Sequence, residues 1–299
     1  MFFATHNDRG PHMLLLQALL RMSGYKLKIN GIWDAATEAS VQAFRTKMGA
    51  STAYGPVNGA VTAQLLWQAH IKIIDAVDAS LLPEHRKMVE QEMTRNQHVK
   101  PIFNERRPGH GVEDAISRIK KRSHGHHIGK LRFSGHGNLG RWICIAVGDP
   151  VHALDAGRRT DYERMAADWP SYIDYSHFER IRPLLRPLRP CFAPFAFVQI
   201  HSCRIGQQTG LLQKLADTWN VPVTGGLSVQ PIAEYTTNAY GDRVASALVI
   251  TGPATIAYPG GSDLASWANR VDQQVLDIHG MIDAGKCYVA KQMKSVVGR

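Results

Sequence analysis

The sequence predicts an α/β protein: a sandwich on a mostly parallel sheet, preceded by a small three-helix domain. Three observations carry this. Residues 99–299 alternate short apolar runs with stretches of helical periodicity, the pattern of strands joined by crossover helices. Residues 1–70 keep helical spacing throughout, interrupted by two Asn-Gly turns. At 299 residues and 44% hydrophobic content, the chain can fill a sizeable core.

In the first segment, Leu15, Ala18, Leu19 and Met22 follow helical spacing, and Gly24 supplies a stop. A second helix spans Asp34 to Phe44, apolar at Ala36, Ala39, Val41 and Phe44, and a third runs from Val61 to Trp67. Asn30-Gly31 and Asn58-Gly59 precede these two helices. Each turn is followed by a Thr (Thr37, Thr62) whose hydroxyl is placed to satisfy an orphan backbone N–H. Residues 71–98 read as a helical linker, broken at Pro83 and strongly charged after it.

In residues 99–299, Ile102 and Phe103 suit a short strand that Pro101 weakens. Glu105 to Gly111 is a loop. Val112, Ala115, Ile116 and Ile119 form the apolar stripe of an amphipathic helix. Lys130–Ser134 alternates as a strand and runs into Gly135-His136-Gly137. Trp142–Val147 is a second strand, and Tyr172–Arg182 a helix stopped by Pro183. Phe195–Ile200 is the strongest strand and ends at His201-Ser202-Cys203. A helix over Gly210–Trp219 and strands over Val221–Thr224 and Ala247–Thr251 complete the alternation.

The formal net charge of +10 fits either a solvated basic surface or attraction to polyanions: nucleic acid, anionic lipid or acidic wall polymers. The basic residues (Lys120, Lys121, Arg122; Arg180, Arg182, Arg186, Arg189) lack interleaved aromatics for stacking bases, so nucleic acid is not an expected partner. No window approaches the roughly 18 apolar residues of a membrane span. The start has no basic stretch followed by an apolar run, so cytoplasmic synthesis without a cleaved signal is expected. Cys144, Cys191, Cys203 and Cys287 contain no CxxC pair, which argues against a disulfide framework or a zinc knuckle.

Parallel sheets bind ligands beyond the carboxyl ends of their strands. His136 and Cys203 both occupy that position. Cys203 precedes Arg204 and then a helix, and both a cation and a helix N-terminus favour thiolate. Cys144 lies inside a strand, and Cys191 and Cys287 read as structural. His201 competes for the role of base, but it lies two residues before Cys203 and leaves little room for substrate. Gly135-x-Gly137-x-x-Gly140 formally matches a dinucleotide fingerprint, yet a strand follows where a helix is needed. His124, His126, His127 and His136 include a Gly-containing turn without a carboxylate or thiol, so no metal and no cofactor is expected.

Two resemblances sharpen these readings. Leu16-Gln17, Leu20, Gly24-Tyr25, Leu27, Asn30-Gly31-Ile32-Trp33, Thr37, Val41, Phe44, then Gly59, Thr62 and Leu65, resemble the peptidoglycan-binding domain of cell-wall hydrolases. Asp34 and Arg45 depart from that pattern, which usually has Gly and Gln there. Phe133-Ser134-Gly135-His136-Gly137 and Val198-Gln199-Ile200-His201-Ser202-Cys203-Arg204-Ile205-Gly206 resemble the histidine and cysteine motifs of the caspase-like (clan CD) cysteine peptidases, over roughly Val99 to Gly261. Papain-like wall peptidases present the cysteine first; here the histidine comes first.

The second resemblance implies a caspase-like sandwich and a cysteine endopeptidase acting on a protein or peptide. Cys203 would be the nucleophile and His136 the acid/base, with the N–H groups of Gly137 and Cys203 holding the oxyanion. Substrate-binding residues stay open, with Asp149 and Asp174 as candidates for an acidic pocket, and the loop at Arg106 is a candidate for self-cleavage. The alternative is a catalytically inactive protein that binds cell wall. Domain company joins the two, as an antibacterial effector toxin exported by a contact-dependent machine such as type VI secretion and paired with an immunity protein.

Overall fold

The structure, a computed structural model, describes residues 7–49, 65, 69, 71–78, 99–104, 112–124, 127–135, 137, 142–144, 172–230, 235–237, 243–245, 250 and 252–283. Helix α1 spans Pro11–Met22, with Pro11 at its first position, where the missing N–H costs nothing. Met13 to Leu20 are all buried, and a helix apolar on every side belongs to a core. Helix α2 spans Ala35–Lys47 and is capped by Asp34, whose carboxylate accepts from the Thr37 N–H at 2.8 Å and the Thr37 hydroxyl at 2.7 Å. The cap is therefore Asp34 and not the Thr37 hydroxyl. The expected third helix falls outside the described residues apart from Leu65, which is helical.

The amide of buried Gln17 ties α1 to the turn before α2. It donates to Asn30 Oδ1, Ile32 O and Thr37 Oγ1, and accepts from the N–H groups of Asn30 and Gly31. The residues that carry the peptidoglycan-binding resemblance thus hold one another in place.

The main sheet has six strands: β1 Ile71–Asp78, β2 Val99–Asn104, β3 His127–Ser134, β6 Phe192–His201, β7 Val223–Gly226 and β10 Ala254–Ala257. Their order is β10-β7-β6-β3-β1-β2, and every pair is parallel except β10–β7. Two antiparallel ribbons stand apart: β4 Trp142–Cys144 with β5 Tyr172–Asp174, and β8 Tyr235–Thr237 with β9 Arg243–Ala245. The fold is α/β with a mixed, mostly parallel sheet.

The 71–98 segment does not open as a helical linker. Ile71–Asp78 is an interior strand and not a helix. Its Ile71, Ile73, Ile74 and Val77 are β-branched, and eight residues suit a strand better than a helix. Residues 79–98 lie outside those described. Pro101 sits in β2, the sheet's edge, where a strand tolerates it. Pro194 is interior, but the β3–β6 register jumps between the Ile128–Phe192 and Lys130–Phe197 pairs, and the irregularity accommodates it.

Helix α3 spans Val112–Ser123, α4 Phe178–Leu185, α5 Thr209–Trp219 and α6 Leu264–Asp283. The helix expected over Tyr172–Arg182 is instead β5 followed by α4. Pro183 removes one hydrogen bond without ending α4, which continues to Leu185 and into a 3-10 turn, Arg186–Cys191. The strand expected over Ala247–Thr251 lies outside the described residues except for Ile250, which is not in a strand.

Helices α3, α4 and α5 pack together on one side, where Phe133 stacks on Trp219 with ring centres 5.7 Å apart. On the other side α1 packs against β6 and α6. Arg21 of α1 pairs with Asp272 of α6, which also accepts from Ile29 N at 2.9 Å. Leu15 of α1 reaches Gly129 in β3; a Cβ there would stand 3.1 Å from Leu15 Cδ1 and 2.5 Å from Ile71 Cγ2. One apolar cluster runs from Met13 to Val275, so the first helices share the sheet's core.

Strand alternation sorts the sheet's faces. Leu131, Phe133, Val198 and Ile200 lie on the α5 side, which leaves Asp75, Arg132 and Gln199, in register on β1, β3 and β6, for the other. Asp75 and Arg132 form a fully buried ion pair. Lys130 is buried nearby with its ammonium 5.4 Å from the centre of the Phe197 ring. Burial, and then the neighbouring Arg132, push its pKa well below the ordinary lysine value, against an opposing pull from Asp75.

Candidate active site at two adjacent strand ends

Strands β3 and β6 are parallel neighbours, so the segments that leave them emerge at the same end of the sheet. Ser134 stands opposite His201, and the next N–H, that of Gly135, donates to His201 O at 3.2 Å. Gly137 comes closer still. A Cβ built on it would stand 2.9 Å from Cys203 O, 3.1 Å from Cys203 N and 3.1 Å from Ser202 Cβ. Only glycine lets the two backbones approach this closely. Position 136 is therefore flanked on both sides by residues lying against the 201–203 segment. His136 itself lies outside the described residues.

Cys203 is half-buried, and its Sγ is 3.9 Å from Gln230 O. The residue after it, Arg204, adopts the left-handed conformation (φ 58°), and its N–H donates to Ser228 O at 2.9 Å. The other positive-φ positions among the described residues are all Asn or Gly. A bulky residue in that region costs conformational energy and turns the chain sharply out of β6. The turn then presses onto β7, where a Cβ on Gly206 would meet Gly225 O at 2.3 Å. The glycine of the cysteine motif is thus a packing requirement.

Among the described residues neither the Gly137 N–H nor the Cys203 N–H has an acceptor. An oxyanion site needs two such backbone donors beside a nucleophile. Ser202 is buried with its hydroxyl unpartnered among the described residues. His201 is fully buried on β6, which denies its imidazole access to a substrate held at half-exposed Cys203.

The loop from Leu227 to Gln230 supplies part of the site that the sequence did not announce. It follows β7, which lies beside β6, and so it borders Cys203. Leu227 and Val229 are exposed apolar side chains there, while Gln230 is buried with its amide donating to Ser228 O at 3.2 Å. Leu227 N donates to Pro253 O at 2.9 Å, which fixes the loop to the approach to β10.

The remaining candidates divide. Asp174 is buried and accepts from the His177 N–H at 2.7 Å and the His177 ring at 2.9 Å, so its carboxylate serves the turn before α4. Asp149, Arg106, His126, Gly140 and Cys287 lie outside the described residues. His127 opens β3 and does not belong to a turn. Cys191 ends the 3-10 turn, with Sγ 3.8 Å from Pro187 O. β4 begins at Trp142, so a strand follows Gly135–Gly140 and the dinucleotide fingerprint lacks its helix. Among the described residues no group of His, Cys, Asp and Glu is placed to hold a metal ion, and no helix is long and apolar enough to cross a membrane. The chain matches no protein-family model, no curated protein and no solved structure.

Proposed function

We propose that the protein is a caspase-like cysteine peptidase in which Cys203 and His136 cleave a peptide bond. The supporting observation is the meeting of the two motif-bearing strand ends, with the backbone of Gly137 against that of Cys203. In this reading the Cys203 thiol gives its proton to His136, and the sulfur attacks the substrate carbonyl. The N–H groups of Gly137 and Cys203 hold the oxyanion as it forms. The C–N bond breaks as the imidazolium protonates the leaving amine. Water, deprotonated by the same imidazole, then releases the acyl group and regenerates the thiol.

Leu227 and Val229 would offer apolar contact to a substrate lying across the Cys203 rim. The test is cleavage of an unfolded protein substrate by the purified full chain. Activity is expected from the wild type and loss of at least about 10²-fold from Cys203→Ala, at an unchanged melting temperature. A Cys203→Ala protein that cleaves as fast as the wild type ends the proposal.

A further inference from the structure

A second surface lies at the opposite end of the sheet. Lys72, Ile128 and Phe192 stand in register at the amino ends of β1, β3 and β6, on strands about 4.8 Å apart. Helix α3 enters this edge with its last turn, Lys120, Lys121 and Arg122, all exposed. The 3-10 turn that precedes β6 packs against α3 and adds Arg186 and Arg189, also exposed. Lys72 joins the group, donating from Nζ to Arg122 O at 2.9 Å. Six cations from three chain-distant elements therefore share one edge, about 20 Å along β3 from the Cys203 end.

Helix charge patterning explains part of this, since cations suit the carboxyl end of α3. It does not explain Arg186 and Arg189. Each is followed by an exposed proline, Pro187 and Pro190, which restricts the backbone and leaves the guanidinium groups presented on a fixed scaffold. Among the described residues, the carboxylates of the elements that flank this edge are engaged or distant. Glu113 and Asp114 lie at the other end of α3, about 10 Å away. Glu179 takes Arg182 and Lys214. Asp217 and Asp263 lie toward the β7–β10 side, holding the N–H groups of Gly260 and Ser266.

We infer that this edge docks on an anionic lipid bilayer, with the Cys203 end turned away from the membrane. The patch is built from helix ends and a 3-10 turn packed against the body, and among the described residues none of its elements projects to enter a nucleic-acid groove. Phe192, the aromatic side chain in register at this edge, is buried and offers bases no stacking face. Cations interspersed with exposed pyrrolidine rings suit a headgroup layer, where each cation near the surface adds attraction that falls within a Debye length.

The test is sedimentation of the full chain with vesicles of phosphatidylcholine alone, or of equal parts phosphatidylcholine and phosphatidylglycerol. Binding to the anionic vesicles only is expected, with loss at high salt and weakening of about 10-fold or more in Arg186→Gln/Arg189→Gln. Both side chains are exposed, so this variant is expected to melt as the wild type does. Cys203 should be alkylated equally fast with and without vesicles. Failure to bind, undiminished binding by the variant, displacement by duplex DNA, or protection of Cys203 by the vesicles overturns the inference. None of these outcomes depends on peptidase activity.

Discussion

Substitution of Gly137 by alanine probes the contact on which the site is built. The added Cβ would lie 2.9 Å from Cys203 O, against about 3.4 Å for an ordinary contact, so the two backbones must part by about 0.5 Å. The obstacle is main chain, which no side-chain rotation relieves, and Gly137 does not have the positive φ that would add strain of its own. Overpacking of this kind costs roughly 1–3 kcal/mol, which lowers the melting temperature by a few degrees. Misplacement of reacting groups by 1 Å costs on the order of 10²-fold in rate, so half that distance should cost on the order of 10-fold. The assay measures cleavage and melting temperature on the same preparation. A Gly137→Ala protein with wild-type stability and activity would show that these strand ends do not touch, and the dyad would lose its geometric support.

Other outcomes follow from the covered polar face and the loop. Asp75→Ala strips Arg132 of its buried carboxylate and should cost about 3–5 kcal/mol in urea unfolding, whereas Asp75→Leu/Arg132→Met should cost far less. Lys130 has a depressed pKa when folded, so the unfolded chain binds the extra proton, and this group's contribution to stability rises with pH toward about 10.4. Lys130→Met should therefore be more stable at neutral pH and show a smaller gain on moving to alkaline pH; an unchanged pH slope refutes the buried amine. Val229→Asp should lower kcat/KM on apolar substrates without changing the melting temperature. Retention of the intact chain on purified sacculi would support the wall-binding resemblance; no retention removes it.

The strands that carry the site were legible because their apolar runs are unmistakable, Phe195–Ile200 above all, and each motif follows such a run directly. β1 was hidden by its own chemistry. Lys72 and Asp75 break its apolar pattern, and the reason for a buried carboxylate appears only when β3 brings Arg132 beside it. The role of Gln17 was equally unreadable. It looked like one letter of a wall-binding motif, and its five hydrogen bonds depend on how α1 meets the 30–37 turn. Asp34, a departure from that motif, turned out to be a helix cap. The 227–230 loop could not be anticipated, because its place beside Cys203 follows from strand order alone. The long α6 was passed over although its sequence is helical, and its partner α1 is distant along the chain.

Alkylation of Cys203 in the full chain at neutral pH, followed by mass spectrometry in wild type and His136→Ala, tests the dyad most directly. Cys191, half-buried and bonded within its own 3-10 turn, serves as the internal control. Cys203 labelling should slow at least about 10-fold without the imidazole, while Cys191 labelling stays constant. Equal Cys203 rates in the two proteins would mean that His136 does not act on this sulfur.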